Sequence, residues 1–187
     1  IGEGRILCGL GHLEEESEDA LVYYREALRI NREIGDRRNE AIVLSNLGRI
    51  ETMRNEFKKA AEYLDHALQI HQQIDNADGE ADTHCLFGEM FYFMQKWNEA
   101  REHFNTAIEI SRKTGSNRQE CIYQGFLGLT NFENGSIKAA VASYIKTYKL
   151  IMDFQFPSSI DDSLGILRDK LLSEGISESE IPFPDHW

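Results

Sequence analysis

Large apolar side chains return at steps of three and four along most of the first 156 residues, and that pattern itself repeats at a longer step. Leu47-Gly48 is followed forty residues on by Phe87-Gly88 and forty further by Leu127-Gly128, with Leu7-Cys8 forty before. A stricter column holds Ala20, Ala60, Ala100 and Ala140, and a column of large side chains holds Tyr24, Leu64, Phe104 and Tyr144. Two more follow: Ala27, Ala67, Ala107 and Thr147, then Ile30, Ile70, Ile110 and Leu150. Five columns at one spacing, without a gap, mark an internal repeat, and repeats decide the architecture before any single element does.

Each unit reads as two amphipathic helices. In the second unit, helix A is predicted from about Asn39 to Met53 and helix B from about Phe57 to Ile74, with the polar break Arg54-Asn55-Glu56 between them. The breaks between units carry turn residues: Gly35-Asp36, Asn76-Ala77-Asp78-Gly79 and Gly115-Ser116-Asn117. Connections this short make neighbouring helices antiparallel. The predicted fold is all-α, a right-handed solenoid of helical hairpins. All three prolines, Pro157, Pro182 and Pro184, fall in the last 31 residues, so nothing upstream forbids helix. The expected organisation is four hairpins over residues 1–156, then a capping helix and tail over 157–187.

The glycines need a reason, because glycine inside a helix costs about 1 kcal/mol against alanine. Gly48, Gly88 and Gly128 each follow a large apolar residue on helix A, and the alanines lie twelve residues later on helix B. Small residues at both places let the two backbones approach. Leu64, Phe104 and Tyr144 are then expected to fill the space beside the crossing. Loops at these glycines would instead leave Ile50 and Met53 without a helical face.

Large apolar, glycine, alanine, aromatic, alanine is the order that resembles tetratricopeptide repeats, over residues 1 to about 154. The usual unit is about 34 residues. Forty with no proline closing helix B is similar to the long repeats of kinesin light chain, LGN-type scaffolds and bacterial regulatory arrays. The resemblance implies a protein-interaction scaffold, part of a larger intracellular protein, binding a peptide or amphipathic helix in its concave groove. The alternative is a self-association or regulatory module of a signalling or transcription-regulating protein. Two family binding modes do not carry over. The carboxylate clamp needs Lys, Asn and Arg on the inner wall, where only Asn46 and Arg49 qualify. The asparagine ladder needs Asn after the glycine, where Arg49, Glu89 and Leu129 stand. The first unit departs furthest: Cys8 replaces glycine, and Ser17 stands where Phe57, Trp97 and Ile137 follow. The first residue is Ile1, so the expectation is a piece of a longer chain in which that unit leans on an upstream neighbour.

A solenoid leaves its last apolar face bare unless something covers it. Ile160, Leu164, Leu167 and Leu171 make one helical face, and Leu164 and Leu167 continue the register of Leu44 and Leu47. Arg168 stands in the glycine column, so no further helix B can nest there. The prediction is a lone capping helix from about 158 to 174, stopped at Ser173-Glu174-Gly175, with ISESEIPFPDHW as a loose tail or a strap over the cap. A second reading folds Phe183 and Trp187 back into the groove.

In such a stack, helices A line the inner wall, at the second, fifth, ninth and twelfth places of each unit. The candidate groove is Ile42, Ser45, Arg49 and Thr52, then Asp82, Cys85, Glu89 and Tyr92 with Phe93 beside them, then Ile122, Gly125, Leu129 and Phe132. Tyr92, Phe93, Leu129 and Phe132 would form an apolar cluster suited to large anchors on a helix or extended peptide. The competing reading is a tight wall in which these residues touch one another.

Charge narrows the partner. The net charge of −12 opposes nucleic acid, whose binding draws on basic side chains, and opposes anionic membrane surfaces. A protein partner with basic patches fits better. Hydrophobic and charged fractions of 41% and 28% are those of an ordinary folded chain, and no apolar run suggests a membrane span or leader. Three cysteines, Cys8, Cys85 and Cys121, far apart in sequence, favour a reducing compartment, the cytoplasm. Cys85 and Cys121 are read as buried, inert thiols. His66 and His71 fall on different helix faces, and His84 and Cys85 point apart, so no metal site is expected. No phosphate loop or nucleophile setting is present. No catalytic residue, cofactor or enzymatic activity is assigned. Homo-oligomerisation, if present, is expected through the first hairpin or the tail.

Overall fold

The chain turns at a fixed step of twenty residues. Gly35, Asn55, Asp75, Gln95, Gly115, Gly135, Gln155 and Gly175 all have positive φ, from 50° to 83°. At each, the next residue's N–H reaches back five positions to a carbonyl: Asp36 to Asn31 at 2.9 Å, Glu56 to Glu51 at 2.8 Å, Lys96 to Phe91 at 2.9 Å, Ser136 to Asn131 at 2.8 Å. This is the Schellman ending, which satisfies carbonyls the helix leaves open. The computed structural model describes residues 18–156 and 163–182. Among them are eight helices and no strand: α1 (Glu18–Ile34), α2 (Arg37–Met53), α3 (Phe57–Gln73), α4 (Ala77–Phe93), α5 (Trp97–Thr114), α6 (Asn117–Glu133), α7 (Ile137–Phe154) and α8 (Ser163–Ser173).

Each helix packs on the next along the chain, and α2 also touches α4, α4 touches α6, and α6 touches α8. Helices of type A therefore form one layer and those of type B lean on its back, the arrangement of an α-solenoid. The alanine column is fully buried at Ala60, Ala100 and Ala140, and so are Leu64, Phe104 and Tyr144. A Cβ built on Gly48 would lie 2.6 Å from Leu64, and one on Gly88 would lie 2.6 Å from the Phe104 ring. The glycines thus seat the large column, as the sequence reading requires.

The last glycine differs. A Cβ on Gly128 would collide with Leu167 of α8 and come within 3.3 Å of Ser143 Cβ, and Tyr144 is not among its nearest neighbours. Tyr144 instead donates its hydroxyl to the Pro182 carbonyl at 2.5 Å. The reason is the end of the array: α8 enters the A layer beside α6, so its leucine takes the space.

Successive units are also tied by a polar column. Arg32 Nε donates to Glu40 at 2.9 Å, Gln72 Nε2 to Glu80 at 3.1 Å, and Arg112 Nε to Glu120 at 2.6 Å. Each joins the last turn of a helix B to the first turn of the next helix A. Glu40, Glu80 and Glu120 stand where the helix N-terminus favours negative charge.

Leu164, Leu167, Leu171 and Ile181 are fully buried in one cluster with Tyr144 and Ile151. Ile176 and Ile181, beyond the end of α8, therefore pack against α7 and α8. The predicted start of the last helix at about 158, the face position of Ile160 and the fold-back of Phe183 and Trp187 lie outside the described residues, as do Cys8 and Ser17.

Candidate functional site

The A layer presents α2, α4 and α6 side by side, and hollows run across them. A cavity of about 520 Å³ spans all three helices from their first turns past their middles, lined by Ile42, Ser45, Asn46, Asp82, Cys85, Leu86, Glu89, Ile122, Tyr123 and Phe126 among others. A second, about 220 Å³, lies between the later turns of α2 and α4, against Arg49, Thr52, Met53, Leu86, Glu89 and Phe93. A third, about 160 Å³, is lined by Glu89, Tyr92, Phe93, Phe104, Phe126 and Leu129. Glu89 lines all three, so the hollows meet at its side chain.

The residues singled out from sequence distribute unevenly around this trough. Phe93 is 54% exposed and Ile42 38%, so both present apolar surface to solvent. Ser45, Thr52, Cys85, Gly125 and Leu129 are buried. Ser45 Oγ and Thr83 Oγ1 lie 3.4 Å apart across α2 and α4, and Thr52 donates to the Gly48 carbonyl at 2.9 Å. The fifth place of each unit is thus buried, with Ser45 at the seam between α2 and α4 and both Ser45 and Cys85 at the floor of the large cavity. Ile122 and Tyr92 are half-buried; the Tyr92 ring packs edge-on against Trp97 and Phe93.

Phe132 stands at the α8 end of this wall, in one apolar cluster with Tyr92 and Leu129. Lys170 Nζ sits 5.3 Å above its ring and pairs with Glu133 at 2.7 Å. Phe132 therefore contributes to the end wall where α8 meets α6. Tyr92, Leu129 and Phe132 share one apolar cluster, and Tyr92, Phe93 and Leu129 line one hollow, while Phe132 lines none of the three.

Two columns escaped sequence reasoning as columns, although Asn46 alone was placed on the inner wall. The sixth place, Asn46, Leu86 and Phe126, lines the large cavity in all three units. So does the outer rim column Arg38, Asp78 and Arg118, near the helix starts. Both columns obey the forty-residue spacing, so the signal was present; mixed polarity concealed it.

Three carboxylates share the trough, in different states. Asp78 accepts from Ser116 Oγ at 2.8 Å. Asp82 accepts from Tyr123 Oη at 2.5 Å; burial raises its carboxyl, the tyrosine opposes that, and Asp78 adds to it. Glu89 accepts from the Cys85 thiol at 3.7 Å. Burial pushes its carboxyl up to about 7, against the pull of Arg49 and of that thiol.

Away from the trough, His84 and His103 bring their Nδ1 atoms to 3.1 Å, and His103 lies against Phe87 and Phe91 with ring centroids 5.0 and 5.3 Å away. Burial lowers both imidazoles, His103 to about 4 with His84 as a second cause. His71, by contrast, lines the large cavity, where it is buried and pairs with Asn76 at 2.9 Å. Among the described residues, no three His, Cys, Asp or Glu converge as metal ligands, and no helix is long and apolar enough to cross a membrane.

Comparison with known proteins agrees with this architecture. Residues 3–73 match a family described as Tetratricopeptide repeat. A crystal structure of BtubC (BKLC) from P. vanneervenii superposes with a TM-score of 0.70 at 21% identity, covering 83% of this chain and 66% of that one. The chain thus spans just under two thirds of that relative's length, and the likeness bears on the fold. No curated protein matches the chain.

Proposed function

We propose that this tetratricopeptide-type array is a protein-interaction scaffold whose ligand is a peptide or amphipathic helix laid along the trough of α2, α4 and α6. Tetratricopeptide repeats as a class are non-catalytic and mediate contacts between proteins through concave surfaces. The observation that supports the site is the meeting of three hollows along helices A, edged by exposed Ile42, Met53 and Phe93. A convex surface would offer no such continuity. Large apolar anchors in a groove supply most of the energy of this binding mode. We read the chain as a scaffold rather than an enzyme, resident in the cytoplasm.

The test is selection of ligands from a displayed random-peptide library, followed by titration of a chosen peptide. Met53→Ala with Phe93→Ala should weaken it about tenfold or more, as truncation of two anchors does, while helix content and melting stay close to the parent. Unchanged affinity in that folded double variant rejects the trough.

A further inference from the structure

We propose that the trough selects segments carrying one lysine or arginine between large apolar residues, with the cation seated on Glu89. This rests on the groove reading above and names the chemistry of its ligand.

Position is the first argument. Glu89 is the one residue that all three hollows share, so any segment following the trough passes over it. Its neighbours along that path are Leu86, Phe93, Phe126 and Leu129, which offer apolar seats on either side.

The second argument is how the carboxylates are already engaged. Asp78 and Asp82 accept short bonds from Ser116 and Tyr123, at 2.8 and 2.5 Å. Glu89 has a thiol at 3.7 Å, and a thiol is a weak donor. Arg49 faces it from α2 and supplies part of the compensating charge. An ammonium or guanidinium from a ligand would add charge-assisted bonds, which are about twice as strong as neutral ones. The raised carboxyl of Glu89 is consistent with a group short of such donors.

Third, the sign of the whole chain agrees. At −12, long-range attraction brings basic segments in and keeps acidic ones away.

The experiment compares two selections from one displayed random-peptide library at pH 8, where the Glu89 carboxyl is ionised. One uses the parent chain, the other Glu89→Gln, which keeps the shape and one acceptor oxygen but removes the charge. The expected result is a lysine or arginine enriched at one position among apolar residues in the first selection and not in the second. A peptide from the first selection should bind Glu89→Gln about tenfold more weakly, and replacing its basic residue should cost nothing further in that variant. Ligands that depend on Met53 and Phe93 yet show no basic preference, or the same preference with Glu89→Gln, overturn this inference and leave the groove reading standing. Ligands indifferent to Met53 and Phe93, or no ligands at all, overturn both.

Discussion

Replacing Gly88 by alanine sets two known effects against each other. Alanine is favoured over glycine inside a helix by about 1 kcal/mol, so intrinsic propensity predicts a gain. The new Cβ would sit 2.6, 2.7 and 2.8 Å from three atoms of the Phe104 ring. Ordinary carbon contacts lie at about 3.5–4.0 Å, so the ring must retreat by roughly 1 Å. Phe104 is fully buried and stacks on Phe126, with centroids 5.6 Å apart and planes 5° from parallel, so it has little room to move. Overpacking of this kind costs about 1–3 kcal/mol, occasionally more. With three ring atoms involved, the upper part of that range applies, and the net effect is a loss of about 1–2 kcal/mol. Gly165 of α8 supplies the control, because a Cβ there meets nothing within 4 Å. Gly165→Ala should therefore gain up to about 1 kcal/mol. Followed by circular dichroism on heating, Gly88→Ala should lower the midpoint by roughly 3–6 °C and Gly165→Ala raise it by roughly 2–4 °C. The reasoning fails if Gly88→Ala raises the midpoint as Gly165→Ala does.

Two further outcomes follow from the turn and histidine geometry. Gln95 holds φ of 58°, where a side chain other than glycine costs about 1 kcal/mol or more, so Gln95→Gly should raise the unfolding midpoint and Gln95→Val should lower it. Identical midpoints for the two variants would remove the strain from the account. His84 and His103 are held below their ordinary value by burial, His103 at about 4. The neutral form is thus favoured in the folded state, and the associated stability is whole above about pH 6.5 and lost as pH falls towards 4. Both rings are partly open to solvent, so the effect is on the order of 1–2 kcal/mol. Thermal midpoints of His103→Phe should fall less steeply than the parent's between those pH values, and parallel curves would refute the assignment.

The forty-residue repeat, the hairpins and the burial of Ala60, Ala100 and Ala140 were legible because each rests on residues of one size class recurring in register. The twenty-residue step was not, although it governs every helix end. Its positions hold Gly, Asn, Asp and Gln, and what they share is a backbone angle rather than a composition. The links from Arg32 to Glu40 and from Arg112 to Glu120 span eight residues across a turn, a spacing that no single-helix periodicity displays. At the trough, counting places around helix A identified the wall but could not divide seam from surface. Ser45 and Cys85 are buried at the floor of the hollow, while Leu86 and Phe126, one place on, line the same hollow half-exposed. That division depends on how closely successive A helices are set. Phe132 lies in one apolar cluster with Tyr92 and Leu129, but the Lys170 that also reaches it comes from a helix thirty-odd residues later, which no count within one unit displays.

The central claim is that ligands bind along α2, α4 and α6, on the face where the hollows meet. Hydrogen exchange on the chain with and without a library-selected peptide addresses it directly. Added protection should concentrate in α4 around Glu89 and Phe93 and in the facing turns of α2 and α6, with α3, α5 and α7 little changed. Protection confined to the helices of the B layer, or spread evenly over the array, would contradict it.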